Sequence, residues 1–293
     1  MREVFLPRTR EELWEILENK PDAAIYAGGT DFLVKMRSAP LASSCFVCLE
    51  RIGSLQGVRE DGDSVFIGSA TTHSRLLDSQ LIREQFPVLA KSIHVLASPP
   101  IRHMGTIGGN IVTASPAGDT LPALHVLGAE VEIGSRGQAR RLSIETFIRG
   151  PGIVDLRPGE VLTGVWLRKA PQWNVHHYEK VGRRKAQACA IASMAAILQV
   201  SKEGRIEQAR LAWGSVGPTV IRSAEVERFI TSRNLGLETL KSAVKLVEAA
   251  VQPIDDIRAG AEYRRTVAGA LLLRLAEYAG QSGEAPALDI PCE

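Results

Sequence analysis

Two glycine pairs, each flanked by a threonine, constrain this chain more than any other feature: AGGTD at residues 27–31 and TIGGN at residues 106–110. Glycine has no Cβ, so such pairs reach backbone conformations closed to other residues and leave room for a ligand or a second backbone. AGGTD lies between a short apolar run that reads as a strand (23–27) and a helix expected to hold Asp31 in its first turn. The N–H groups of a helix start and the positive end of its dipole suit a phosphate, and the Thr30 hydroxyl adds a donor. One glycine pair alone reads more readily as a tight structural turn than as a ligand cradle. Two of them suit a diphosphate held from both sides by backbone amides, which need no basic cluster around them. This is not a Rossmann fingerprint, because G-x-G-x-x-G is absent.

The second pair heads the longer segment GTIGGNIVTASPAGD, which ends in Asp119 at the start of the helical pattern TLPALHVLGA. A carboxylate at that position stabilises a helix N-terminus by ~0.3–1 kcal/mol. Beside phosphate-binding loops it also suits hydrogen bonds from the vicinal hydroxyls of a ribose or ribityl chain. Both readings stand at this level.

The surrounding pattern is α+β, with short strands in hairpins interspersed among helices and no strict βαβ rhythm. TREELWEILENK carries Thr9 as N-cap with Glu12 three residues on, then Leu13, Ile16 and Leu17 on one face. FVCLE (46–50), GVRE (57–60) and SVFIGS (64–69) read as strands, the last two joined at Asp61–Gly62. LIREQFPVLAKSIHVLA reads as helix interrupted or restarted near Pro87, and SPPIR as extended, since residues before proline avoid the α region. AEVEIGS, QARRLSI and EVLTGVWLRK read as strands, and the character changes near residue 170. Beyond it HHYEKVG is extended, IASMAAILQVSKEGRIEQARLAWGSV is a buried strand pair or helix with a turn at Glu203–Gly204, and the last third is mostly helical. At 293 residues the chain is long enough for two or three packing units.

A net charge of +2 from interleaved residues argues against nucleic acid or an anionic membrane as partner. No apolar run nears the ~18 residues of a membrane span, and no secretory h-region follows the N-terminus, so a cytoplasmic protein is expected. Cys45 and Cys48 form a C-x-x-C, but they lie in a strand pattern that turns them to opposite faces, with no nearby histidine or second pair; no metal site is assigned. His73, His103, His125, His176 and His177 are scattered and read as surface or packing residues. No Ser-His-Asp or paired-carboxylate constellation stands out, and no catalytic residue is assigned.

AGGTD, IRHMGTIGGNIVTASPAGD, YEKVGRRKA and DIRAGAEYRR, in this order and spacing, resemble the FAD-binding medium subunit of the molybdenum hydroxylases. That family includes xanthine, aldehyde, nicotinate and carbon monoxide dehydrogenases, and the resemblance covers essentially the whole chain. It implies a vanillyl-alcohol-oxidase-type (PCMH) FAD-binding module of two α/β lobes, 1–55 and 56–170. A C-terminal domain of a small sheet with helices, 171–285, and a tail, 286–293, would follow. It implies that Ala27, Gly28, Gly29, Thr30 and Asp31, with Thr106, Ile107, Gly108, Gly109 and Asn110, hold the FAD pyrophosphate. Ser115 and Asp119 would contact ribose or ribityl hydroxyls, and Leu162 would lie against the flavin or adenine. Lys180 would sit beside the isoalloxazine and steady negative charge there, its alternative being an exposed lysine on a strand.

The resemblance further implies non-covalent FAD in an electron-transfer subunit of a heterotrimer or its dimer. A large molybdopterin subunit would act on the substrate, a small 2Fe–2S subunit would deliver electrons, and NAD+ or another acceptor would receive them. A stand-alone flavin oxidoreductase of the same fold and a non-catalytic nucleotide-binding or assembly module are the alternatives. Two departures stand out: Ala188, Cys189 and Ala190 occupy a stretch where many relatives place an aspartate, and Gly260 replaces the usual serine. The cysteine-bearing insertion of the 4-hydroxybenzoyl-CoA reductase branch is missing.

Overall fold

The structure, a computed structural model, describes residues 3–38, 43–184 and 187–280. Lys185 and Ala186 of the YEKVGRRKA motif, Cys292, residues 281–285 and the expected tail 286–293 lie outside the described residues.

The first capping signal is used as the sequence predicts. The helix Arg10–Asn19 follows Thr9, whose hydroxyl accepts the Glu12 N–H at 3.1 Å. The Glu12 carboxylate closes one residue earlier than a standard capping box, accepting the Arg8 N–H at 2.7 Å. Leu13, Trp14 and Leu17 are buried in one cluster with Val47 and Leu49, on and beside the central strand of a parallel sheet ordered Glu3–Phe5, Cys45–Cys48, Ala24–Tyr26. Within Cys45–Cys48 the two thiols diverge: the Cys45 sulfur lies 3.6 Å from Glu3 Oε2, and the buried Cys48 sulfur lies 3.7 Å from the Ala27 carbonyl.

An antiparallel sheet follows, in the order Val58–Asp61, Ser64–Gly68, Val161–Arg168, Glu130–Ser135, Gln138–Ser143. Its first hairpin turns at Gly62, in the left-handed region at φ +55°, as the Asp-Gly signal requires. Leu162 is buried in the central strand opposite Ile133, next to a bulge before Gly164. These two sheets, with residues 98–114, form the first compact unit.

The second unit comprises residues 80–97, 115–127 and the chain from Lys169 onward. Its antiparallel sheet runs in the order Val175–Gly182, Ala190–Val200, Ile206–Gly214, Ile221–Arg222. The ambiguous run after residue 190 is therefore a strand pair, turned at Gly204 with φ +83°. Helices Leu237–Ala250 and Ala261–Leu273 share a core with Met194, Ala196, Leu198 and Trp213 of the sheet, and helices Pro87–His94 and Thr120–Val126 also pack on its strands. A sheet so enclosed explains the run AIASMAAIL, apolar but for Ser193, whose pattern alone does not separate strand from helix.

Two local expectations are corrected. SPPIR is not extended throughout: Ser98 is (φ −100°, ψ 160°), as a residue before proline must be, but Pro99–Met104 is a helix with prolines in its first positions. There the missing N–H costs no intrahelical bond. Asp31 precedes the helix Phe32–Ser38 rather than lying in its first turn. At Gly260, where a serine could cap Ala261–Leu273, the Asp255 carboxylate instead accepts the Ala261 N–H at 2.5 Å. No helix among the described residues is long and apolar enough to cross a membrane.

Candidate cofactor site

The first unit brings the two glycine segments together. The strand Ala24–Tyr26 ends two residues before Gly28, and Gly29 turns the chain in the left-handed region (φ +70°) toward Phe32–Ser38. A Cβ on Gly28 would overlap the Met104 carbonyl, so only glycine lets these two backbones touch. A Cβ on Gly105 would stand 3.4 Å from the Thr30 hydroxyl. Asp31 adds a side-chain latch: Thr113 donates its hydroxyl to Oδ2 at 3.1 Å, and Lys35 pairs with the same oxygen at 2.7 Å.

The two segments differ in what their amides do. Gly28, Gly29 and Thr30 donate no backbone N–H to any partner among the described residues, while the Gly29 and Asp31 carbonyls accept from Leu33 and Lys35. The second pair is not a loop; it lies in the first turn of the helix Ile107–Thr113. Its donors are engaged: Ile107 N–H bonds the Thr71 carbonyl at 3.0 Å and Gly108 N–H the Ser69 carbonyl at 2.9 Å. Gly109 N–H bonds the Thr106 hydroxyl at 3.1 Å, and Asn110 N–H bonds the Thr106 carbonyl at 3.0 Å. The expectation that the second pair repeats the chemistry of the first is thus corrected. The cause is steric: a Cβ on Gly108 would lie 2.6 Å from the Ser69 Cβ, so this glycine admits the segment 69–72 and gives up its amide to it.

In that supporting segment, SATTH, nothing local marks Ser69 and Thr71 as partners of the second glycine pair. His73 donates its N–H to the Gly105 carbonyl at 2.9 Å. Its ring is 3% exposed, and burial together with the Arg102 charge lowers its pKa to about 4. The Ser69 hydroxyl and His73 Nδ1 are buried without a hydrogen-bond partner. His73 is a packing residue, and His103 is exposed.

The remaining predicted residues divide between the units. Leu162 is enclosed in the first unit, 3% exposed. In the second, Ser115 shapes the bend before Asp119, its hydroxyl accepting the Ala117 N–H at 3.3 Å and its carbonyl the Gly118 N–H at 2.9 Å. Asp119 stands at the N-cap position of Thr120–Val126 but in α-helical geometry (φ −62°, ψ −33°), and its side chain caps nothing. Instead its Oδ2 accepts from Lys180 Nζ at 2.8 Å, and Lys180 also donates to the Val95 carbonyl at 2.6 Å. The exposed-lysine alternative is overturned, since the Lys180 side chain is 8% exposed and that of Asp119 10%. Burial raises the Asp119 pKa, opposed by the ammonium and then by the Tyr178 hydroxyl, 3.5 Å from Oδ1. Sequence reasoning missed Tyr178, although the period of two in a strand sets it on the same face as Lys180.

Residues 1–169 match the family model described as the FAD binding domain in molybdopterin dehydrogenase, and residues 176–279 match that of the CO dehydrogenase flavoprotein C-terminal domain. The chain is 33% identical to the carbon monoxide dehydrogenase medium chain of Afipia carboxidovorans, over 88% of this chain and 89% of that one. It is 31% identical to the xanthine dehydrogenase FAD-binding subunit of Escherichia coli, over 85% and 86% of the two chains. Among solved structures, a chain of quinoline 2-oxidoreductase from Pseudomonas putida 86 superposes with a TM-score of 0.90 at 26% identity, over 96% of this chain and 97% of that one.

Proposed function

Because this chain belongs to the family of FAD-binding medium subunits of the molybdenum hydroxylases, we propose that it is the electron-transfer subunit of a cytoplasmic complex. In this reading it receives electrons from a 2Fe–2S partner and passes them to NAD+ or another acceptor. A large molybdopterin subunit completes a heterotrimer or its dimer. The observation that carries the reading is the set of amides at Gly28, Gly29 and Thr30, unengaged among the described residues and held on a backbone joint that any Cβ at Gly28 would fill. Neutral donors on bare backbone fit a diphosphate.

Ala27–Asp31 would supply the donors, and Thr106, Ile107, Gly108, Gly109 and Asn110 would wall the cradle with backbone whose own bonds are complete. Asp31, engaged by Lys35 and Thr113, would fix the joint and keep its charge off the phosphates. Asp119 and Ser115 would serve the polyol hydroxyls, Lys180 would present positive charge toward the ring, and Leu162 would back an apolar ring of the cofactor. When bound, FAD supplies two-electron and one-electron redox chemistry, and the protein supplies binding, orientation and field.

Co-expression with the partner subunits tests this. The expected product is a complex with stoichiometric FAD in this chain, reduced by substrate only when the 2Fe–2S subunit is present. A chain that shows no flavin spectrum after added FAD would favour an assembly module. A flavin-loaded monomer that turns over a substrate alone would favour the stand-alone oxidoreductase.

A further inference from the structure

We infer that Tyr178 is a positioning residue, whose buried hydroxyl holds the Asp119 carboxylate in place beside Lys180 for ligand binding. The inference rests on the reading that Asp119 and Lys180 serve the cofactor. Tyr178, Asp119 and the Lys180 side chain are 9%, 8% and 8% exposed. Alternation along Val175–Gly182 sets Tyr178 and Lys180 on one face, and each takes one carboxylate oxygen: Lys180 binds Oδ2 at 2.8 Å and Tyr178 reaches Oδ1 at 3.5 Å.

The tyrosine is itself supported. Burial and then the Asp119 charge raise the Tyr178 pKa, and the hydroxyl of Ser193, opposite Lys180 on the next strand, works against that rise. Gly214 is opposite Ser193 in turn, and a Cβ there would lie 2.6 Å from the serine hydroxyl, so the glycine makes room for that group. Tyr178 thus donates to Asp119 with the Ser193 hydroxyl behind it, and Lys180 donates to both Asp119 and the Val95 carbonyl. An ammonium has three donors and two are engaged here, which leaves one for a ligand.

Without the Tyr178 hydroxyl, Oδ1 of a buried carboxylate loses its donor while Oδ2 keeps the Lys180 ammonium, and a buried acceptor left without a partner costs more than an exposed one. Other titratable groups on the packed elements are committed elsewhere or exposed. Lys91 donates to the His176 carbonyl, Arg210 to the Val126 carbonyl, His125 meets the Leu121 carbonyl, Glu179 pairs with Arg274, and His94 is exposed. Burial raises the Asp119 pKa, and Lys180 followed by Tyr178 are the groups that oppose that rise.

Two measurements on the full chain test this. Carboxyl-carbon NMR titration of the apoprotein should show the Asp119 midpoint moving upward in Tyr178→Phe; an unmoved midpoint overturns the inference. FAD titration at pH 7 should show affinity weakened about three- to tenfold in Tyr178→Phe, with the acid limb of binding shifted to higher pH. Unchanged affinity and pH profile overturn it. If Tyr178→Phe does not fold, Ser193→Ala, which removes the hydroxyl behind Tyr178, must move the midpoint in the same direction by less, and no movement overturns the inference. If the wild-type chain binds no FAD, the family reading of the site fails, while the apoprotein titration still decides the role of Tyr178.

Discussion

At Gly28–Gly29 the chain has just left a strand and, among the described residues, bonds to no neighbouring backbone through these amides, whereas at Gly108–Gly109 the same dipeptide opens a helix with residues 69–72 laid against it. One pair keeps its donors and the other has given them up. The difference shows that a glycine pair has two separable uses, to expose amides and to admit a second backbone, and that composition does not tell them apart. In this molecule the segments are complementary: the second braces the joint that the first needs in order to stay open.

The largest effect is expected at Gly28. In Gly28→Ala the new Cβ would overlap the Met104 carbonyl, and both atoms belong to backbone that cannot turn aside. FAD affinity should fall by more than about a hundredfold in flavin fluorescence titrations, with a lowered thermal midpoint, as expected where overpacking costs ~1–3 kcal/mol or more. A near-native affinity in this variant would break the comparison.

Acid should act on the brace and not on the donors, because amides do not titrate. His73, behind Gly105, is held to a pKa of about 4 in the folded chain against 6.5 as its ordinary value. The unfolded chain therefore takes up its proton first as pH falls. Stability is full above about pH 6.5, declines between there and about pH 4, and levels off below, for a total of up to about 3 kcal/mol. His176 and His177, likewise lowered to about 4 by burial, add the same trend in the second unit. Urea midpoints measured from pH 7 to pH 4 should fall accordingly, and His73→Asn should flatten part of that fall.

A smaller change is expected for Thr106→Val, which removes the hydroxyl that accepts the Gly109 N–H. Loss of an N-cap costs about 1 kcal/mol, readable as a shift in the urea midpoint with a comparable weakening of FAD. The smallest belongs to Gly109→Ala. Its Cβ would meet only the Thr106 hydroxyl, at 3.0 Å, and alanine favours helix over glycine by about 1 kcal/mol. Affinity should stay within about threefold of wild type. A loss as large as that at Gly28 would show that the second pair also donates.

What could be read from sequence was governed by neighbours along the chain. The Thr9 cap, the Asp61–Gly62 hairpin and the divergent thiols of Cys45 and Cys48 depend on residues no more than a few positions apart, and the structure reproduces each. The family motifs drew attention to both glycine segments, Asp119 and Lys180, whose part in holding a cofactor is the proposal made above. What escaped was set by distant partners. Nothing in TIGGN announces that Ser69 and Thr71 will take its amides. Lys180 resembles a surface lysine until Asp119, 61 positions earlier, is placed against it. Tyr178 carries no motif of its own and gains meaning only when Ser193 and Asp119 lie on either side of it.

Amide hydrogen exchange with and without FAD addresses the central claim most directly. In the apoprotein, Gly28, Gly29 and Thr30 should exchange fast and become strongly protected when FAD is added, while Ile107, Gly108 and Gly109 should already be slow and change little. Protection gained chiefly at Gly108 and Gly109, with Gly28–Thr30 unaffected, would contradict the account.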